Sequence, residues 1–245
     1  MLKNSIFIFF VTYMTACSGI AQKMNDKNAK KIIESCVEAH GGKNYQNLNV
    51  SFDFRKFKIK LINKGSMFEY QRSTQDSLHN TVTDILNNNG FRRELNGKVQ
   101  VLSNIESDKF KEATNAVCYF MLLPYKLLDG GVNSEFVGTI KIENQEYDKV
   151  KVFFNKEGGG TDYNDVYCYW INQKTHTLDY LAYATGGARF RKATKREKVG
   201  GIIFQDYENY EILDTTTSSV KYDSAFLAGK FKLLSKIEQT NYKAN

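Results

Sequence analysis

From Phe136 to Glu211 the chain repeats one pattern, in which short apolar-polar alternating segments are separated by turns of polar and glycine residues. The segments are Phe136–Glu143, Tyr147–Phe154, Val166–Asn172, Leu178–Thr185, Arg189–Glu197 and Gly201–Glu211. Glu143–Glu146, Glu157–Asn164, Gln173–Thr177, Gly186-Gly187 and Lys198–Gly200 connect them at hairpin spacing. Sequential hairpins favour a strongly curved antiparallel sheet or open barrel over a parallel sheet. A last strand is expected over Phe231–Glu238.

The first half adds helices and further strands. Ala29, Ile32, Ile33, Cys36 and Val37 recur at helical spacing within 26–40, and Gly41-Gly42 then supplies a left-handed cap. Val50–Phe54 alternates, and after Arg55-Lys56 the alternation resumes in a new phase at Phe57, Ile59 and Leu61, which predicts a β-bulge. Asn63-Lys64-Gly65 turns the chain into a hairpin partner at Ser66–Thr74, and shorter strands follow at Asp84–Leu86, Gly90–Leu95 and Lys98–Leu102. A second helical region spans Ile105–Leu123 and stops at Pro124. From Val117 to Leu128 only Pro124 and Lys126 are not hydrophobic, so this run either plugs a cavity or is buried on several sides. The expected class is α+β, mainly β. One domain over 26–240 forms an open half-barrel of about ten or eleven antiparallel strands, with an N-terminal helix and a central helical segment on its concave side.

With 42% hydrophobic and 25% charged residues and a single proline, the chain belongs to neither the collagen-like nor the disordered class. The net charge of +7 is dispersed, densest at Arg189, Arg191, Lys192, Lys195, Arg196 and Lys198, which is no nucleic-acid stripe. Residues 1–21 read as an export signal: Lys3 precedes the apolar stretch Ile6–Met14, which is too short to span a membrane. Two cleavage sites compete. Met14-Thr15-Ala16-Cys17 reads as a lipobox that would make Cys17 a lipidated first residue on a membrane surface, and Gly19-Ile20-Ala21 reads as an ordinary site. Either one places the mature protein in the cell envelope or outside it. Cys36, Cys118 and Cys168 read as buried small hydrophobes, with a Cys36–Cys118 bridge left open.

Ala39-His40-Gly41-Gly42, shortly before a strand at Val50, resembles the start of the lipoprotein-carrier (LolA/LolB-like) proteins of bacterial envelopes. Other pieces resemble an uncharacterised family of exported Bacteroidota proteins. They are Phe52-Asp53-Phe54-Arg55, Asn115–Phe120, Leu123–Asp129, Tyr167–Ile171, Leu178–Tyr183, Gly187–Arg191 and Asp206–Tyr210. This resemblance covers most of residues 28–212 and implies the same curved-sheet fold, but it brings no assigned reaction.

A concave face of that kind invites a lipid or other hydrophobic ligand. Phe52, Phe54, Tyr119, Phe120, Tyr169, Trp170 and Tyr183 are the expected lining. Arg189 and Arg191, two apart on one strand, are expected to share a face and to hold a polar head group. The acids after Gly158-Gly159-Gly160 do not match a calcium loop and read as a turn. His40, His79 and His176 lie too far apart in sequence for a zinc motif, and His40 could act as a general base only with a nucleophile that the sequence does not supply. No metal, cofactor or nucleic acid is expected, and the protein is read as a monomer. The leading expectation is a non-enzymatic carrier, sensor or chaperone for a hydrophobic ligand. A protein-interaction lipoprotein comes second and an unrecognised hydrolase third.

Overall fold

The computed structural model describes residues 26–155, 165–214 and 216–244. The expected export signal, with Cys17, and most of the glycine-rich loop before Asp165 lie outside the described residues.

Helix α1, Lys27–His40, forms where the apolar stripe predicts it. Asp26 caps its start by accepting the Asn28 amide, and its second carboxylate oxygen accepts the Phe136 amide at 2.8 Å, which ties the helix to the sheet. Gly41 ends it with φ 145°. A meander follows: β1 Asn47–Phe54, β2 Phe57–Lys64, β3 Met67–Gln75, β4 Thr81–Asn87, β5 Gly90–Leu95 and β6 Lys98–Val99. Helix α2, Asn104–Met121, opens on a reciprocal capping box between Ser103 and Glu106. Its lower face buries Thr114, Cys118 and Met121. The second meander contains β7 Val132–Ile142, β8 Gln145–Phe154, β9 Tyr167–Asn172, β10 Leu178–Tyr183, β11 Arg189–Val199 and β12 Ile202–Ile212. A short helix α3, Tyr222–Leu227, precedes β13 Phe231–Ile237 and β14 Gln239–Ala244.

The strands form two seven-stranded antiparallel arrays, ordered β14-β1-β2-β3-β4-β5-β6 and β13-β12-β11-β10-β9-β8-β7. The C-terminal strand joins them. β13 pairs with β12, and after Glu238 the chain continues as β14, which pairs with β1. Gln239 holds this change of partner: its amide donates to Asp206 at 2.9 Å and its side-chain amide to the Gln205 carbonyl at 2.8 Å. The mainly β, antiparallel, open architecture is the expected one. The strands outnumber the expected ten or eleven because the stretch read as one bulged strand at Val50–Leu61 is two strands, β1 and β2, and the C-terminal ribbon is likewise two.

One local expectation needs correction. Arg55-Lys56 is not a bulge within one strand but a two-residue hairpin turn, with Phe54 paired directly to Phe57 and Arg55 at φ 54°. The alternation changed phase because the chain reverses there while both rings stay on the same face. Helix α3 carried too short an apolar pattern to stand out in the sequence.

Strand alternation sends side chains to two separate cores. The inner core joins β1 and β2 to Val150, Val152, Tyr169, Phe204 and Tyr207, and both α1 and the end of α2 contribute to it through Cys36, Cys118, Met121, Leu122 and Leu127. The outer core contains Cys168, Trp170, Tyr180 and Phe190, covered by Tyr222 and Ala225 of the α3 segment. The central helical segment thus lies on the concave side as expected, and the run 117–128 is inserted into the inner core. Cys36, Cys118 and Cys168 are free buried thiols, so no Cys36–Cys118 bridge forms. Among the described residues no helix is long and apolar enough to cross a membrane.

Candidate functional site

The inner core buries its apolar side chains almost completely. A gap of about 10 Å³ remains between Phe120, Leu123, Phe204, Tyr207 and Gln239, roughly the space of one water. A larger open hollow of about 430 Å³, flanked by Val137, Lys151, Val166, Thr185 and Ser219, contains none of the expected lining residues.

The candidate site lies at the rim of the concave face, where the end of α2 meets β8 to β11. Five rings there are only partly buried: Tyr119, Phe120, Phe154, Tyr167 and Tyr183. They form a contiguous series. Phe154 lies edge-on to Tyr119 at 6.2 Å and to Tyr167 at 5.6 Å, and Tyr167 lies 5.7 Å from Tyr183. Beneath them Tyr169 stacks on Tyr167 at 6.4 Å. Phe120 continues inward to Tyr207 at 5.2 Å.

Arg191 sits among these rings. Its guanidinium stands 4.4 Å over Phe120 and 5.3 Å over Tyr183. It donates to the Tyr183 hydroxyl at 2.9 Å and to Asn209 Oδ1 at 3.3 Å. No carboxylate of the described residues pairs with it. Burial is the largest influence on this group and lowers its pKa, although a guanidinium stays charged. Burial likewise holds the Tyr119 and Tyr169 phenols protonated and pushes Tyr207 up to about 12, so all three remain neutral hydrogen-bonding groups.

The expected residues divide accordingly. Tyr119, Phe120, Tyr169, Tyr183 and Arg191 come together. Phe52 lies deeper, fully buried between Phe204 at 5.2 Å and Tyr242 at 5.4 Å, and Phe54 packs in the same inner core below Arg55. Trp170 does not join them. It follows Tyr169 on β9 and therefore points to the outer face, where its Nε1–H donates to the buried Asp223 at 3.0 Å beside Lys149. Arg189 shares the strand parity of Arg191, but its guanidinium folds back to donate to the Ala188 carbonyl at 2.8 Å. Phe154, Tyr207 and Asn209 were missed. Tyr167, two residues from Tyr169 on β9, was legible from parity and joins the same series.

His40 does not serve as an exposed base. Its Nε2 accepts the Leu178 amide at 3.0 Å, and burial pushes its pKa down to about 4. The ring is neutral and structural at ordinary pH.

A family model described as a family of unknown function (DUF6503) matches residues 3–239 of the chain. No curated protein matches it. Among solved structures, the chain is similar to a LolA superfamily protein from Nitrosomonas europaea, with 11% identity and a TM-score of 0.46 over 89% of this chain and 93% of that one. It is similar to a DUF1329 family protein from Desulfovibrio piger, with 12% identity and a TM-score of 0.40 over 89% and 93%. It is also similar to the lipoprotein LppX from Mycobacterium tuberculosis, with 12% identity and a TM-score of 0.31 over 66% and 90%.

Proposed function

The chain belongs to the family of unknown function DUF6503, and from that premise we propose that it is an exported, non-enzymatic envelope protein that binds a lipid or other hydrophobic ligand at the inner face of its curved sheet. One observation carries this reading: a contiguous, partly buried aromatic rim surrounds a guanidinium that has no carboxylate partner among the described residues. Soluble domains bury large rings fully or scatter them singly at the surface; a connected rim with a polar centre suits an amphiphile. The N-terminal pattern of Lys3, the apolar Ile6–Met14 and the following small residues supports export, with Cys17 as a membrane-surface anchor if the lipobox is used.

The gap between Phe120, Leu123, Phe204, Tyr207 and Gln239 is only about 10 Å³, so a ligand that enters there displaces the segment 117–128. Val117, Tyr119, Phe120 and Tyr125 of that segment are partly buried plugs rather than fully enclosed core. An acyl chain that replaces them restores the buried apolar area at about 25 cal/mol per Å². Native mass spectrometry of the mature protein from its own envelope, followed by organic extraction, tests the reading. A co-purifying acyl species is the expected result. An apo mass together with no uptake of a neutral apolar probe overturns it.

A second reading rests on a different surface. Val99, Val101 and Ile105 are exposed together at the β6–α2 junction. Such a patch suits a protein partner, and an apo protein whose Val101→Ser and Ile105→Ser variants lose a cross-linked partner would favour an interaction protein.

A further inference from the structure

We propose that the face of β14, β1 and β2 turned away from the inner core is a docking surface for an anionic lipid bilayer, held by Lys58, Lys60, Lys64 and Lys243 with the exposed Met67. This goes beyond the hydrophobic-ligand reading and uses none of its residues.

Strand register brings these side chains together. On β2, Ile59 and Leu61 enter the inner core, so Lys58, Lys60 and Lys64, of opposite parity, stand on the other face. Ser51 of β1 pairs with Lys60 on one side and with Lys243 of β14 on the other, which puts both lysines on that same face with one hydroxyl between them. Paired strands lie about 4.8 Å apart and alternate residues of a strand about 7 Å apart, so Lys243 and Lys60 are rooted about 10 Å apart and Lys58 and Lys60 about 7 Å apart. These spacings are no larger than the screening length of about 10 Å in 0.1 M salt, so the ammoniums act as one charged surface. Met67, 65% exposed, pairs directly with Lys64 and adds an apolar side chain at the border of the array.

The acids of this face are already engaged. Asp53, across from Lys58, accepts the Asn241 side-chain amide at 2.7 Å, and Glu69 of β3 accepts Gln71 at 2.8 Å and Asn87 at 3.3 Å. None of the four ammoniums has a hydrogen-bond or ion-pair partner among the described residues.

The chemistry of the array favours lipid over protein. Protein interfaces gather aromatic and arginine side chains in a packed centre and are poor in lysine. Here every cation is a lysine, and this face of β1 and β2 carries no ring: Asn47, Asn49, Ser51 and Asp53 stand beside Lys58, Lys60, Ile62 and Lys64. Anionic headgroups are mobile and collect under flexible ammoniums, while the lysine stems and the Met67 thioether lie against the apolar boundary. Docking on this face leaves the aromatic rim on the concave side uncovered.

The test is flotation of the full mature chain on large vesicles, with Cys17→Ser so that no acyl anchor contributes. The vesicles are phosphatidylcholine alone, or phosphatidylcholine mixed with phosphatidylglycerol. The expected result is binding about tenfold or more tighter to the anionic vesicles, lost at high salt. Lys60→Gln with Lys243→Gln lowers that binding about tenfold, whereas Lys109→Gln with Lys111→Gln, an equal change of charge on α2, leaves it within about twofold. Lys60 is half-buried and the other three are exposed, and circular dichroism checks that both double variants fold. Equal binding to neutral and anionic vesicles overturns the docking face, and so does an equal loss in both double variants, which would assign the binding to net charge. A polyglutamate chain that binds as tightly as the anionic vesicles, with the same dependence on Lys60 and Lys243, assigns the face to an acidic protein and overturns the lipid. No binding to any vesicle overturns the proposal and leaves the hydrophobic-ligand reading standing, because ligand uptake tests that reading separately.

Discussion

His40, the last residue of α1, accepts the Leu178 backbone amide on Nε2 at 3.0 Å and so fastens the end of the helix to β10. An acceptor nitrogen carries no proton, and the ring is fully buried. Folding therefore requires neutral His40. Its folded pKa is about 4 against an ordinary 6.5. Between those values the unfolded chain takes up a proton at His40 that the folded chain refuses, so stability falls as pH drops from 6.5 to 4 and is unaffected by this group above 6.5. The loss amounts to about 3 kcal/mol over that window. Urea unfolding at several pH values should show it, and His40→Gln, which keeps an acceptor but cannot titrate, should lose most of the slope. An equal slope in the variant would assign the acid sensitivity elsewhere.

Trp170 belongs to the outer core and not to the aromatic rim. Its Nε1–H and the ammonium of Lys149 both serve the buried Asp223 on the outer face. Trp170→Phe removes a donor from that carboxylate and should cost about 1–3 kcal/mol in denaturant unfolding, with ligand affinity unchanged. Loss of binding at preserved stability would return Trp170 to the ligand site.

The docking of α1 on the β11–β12 turn leaves no room for a methyl group. A Cβ on Gly41 would stand 2.7 Å from Ile202 Cγ2, and one on Gly201 would stand 2.7 Å from Asn44 Cγ, with both glycines at positive φ. Alanine at either should cost about 1–3 kcal/mol, through clash and left-handed strain together. Gly65→Ala, at φ 61° but in open space, should cost only about 1 kcal/mol. Similar losses at all three would show that backbone conformation alone sets the effect.

Much of this fold was legible because its signals are periodic. The stripe Ala29, Ile33, Cys36 and Val37 identified α1, and hairpin spacing identified the antiparallel meander from β7 to β12. The same period of two that reveals a strand also assigns each residue a face. Choosing Trp170 beside Tyr169 ignored that rule, whereas Tyr167, Tyr169 and Tyr183 obey it and do meet. The β1–β2 turn was not legible as a hairpin. The hairpin at Phe54 and Phe57 mimics a bulge in the hydrophobic pattern. Nor could sequence foresee that Arg189 would bond its neighbour's carbonyl while Arg191 reached the rings, since backbone parity treats the two alike.

Displacement of the segment 117–128 can be read from Cys118, which is fully enclosed on the buried face of α2 and whose thiol burial pushes up to about 12. Cys36 and Cys168 are equally enclosed, one on the buried face of α1 and the other in the outer core. The most direct measurement is the rate at which a water-soluble maleimide labels each of these three thiols, followed by peptide mass spectrometry, with and without dodecyl phosphate below its micelle concentration. The account predicts that the amphiphile speeds labelling of Cys118 about tenfold or more while Cys36 and Cys168 stay protected. Unchanged protection of Cys118 with the amphiphile bound, or equal exposure of all three thiols, would contradict it.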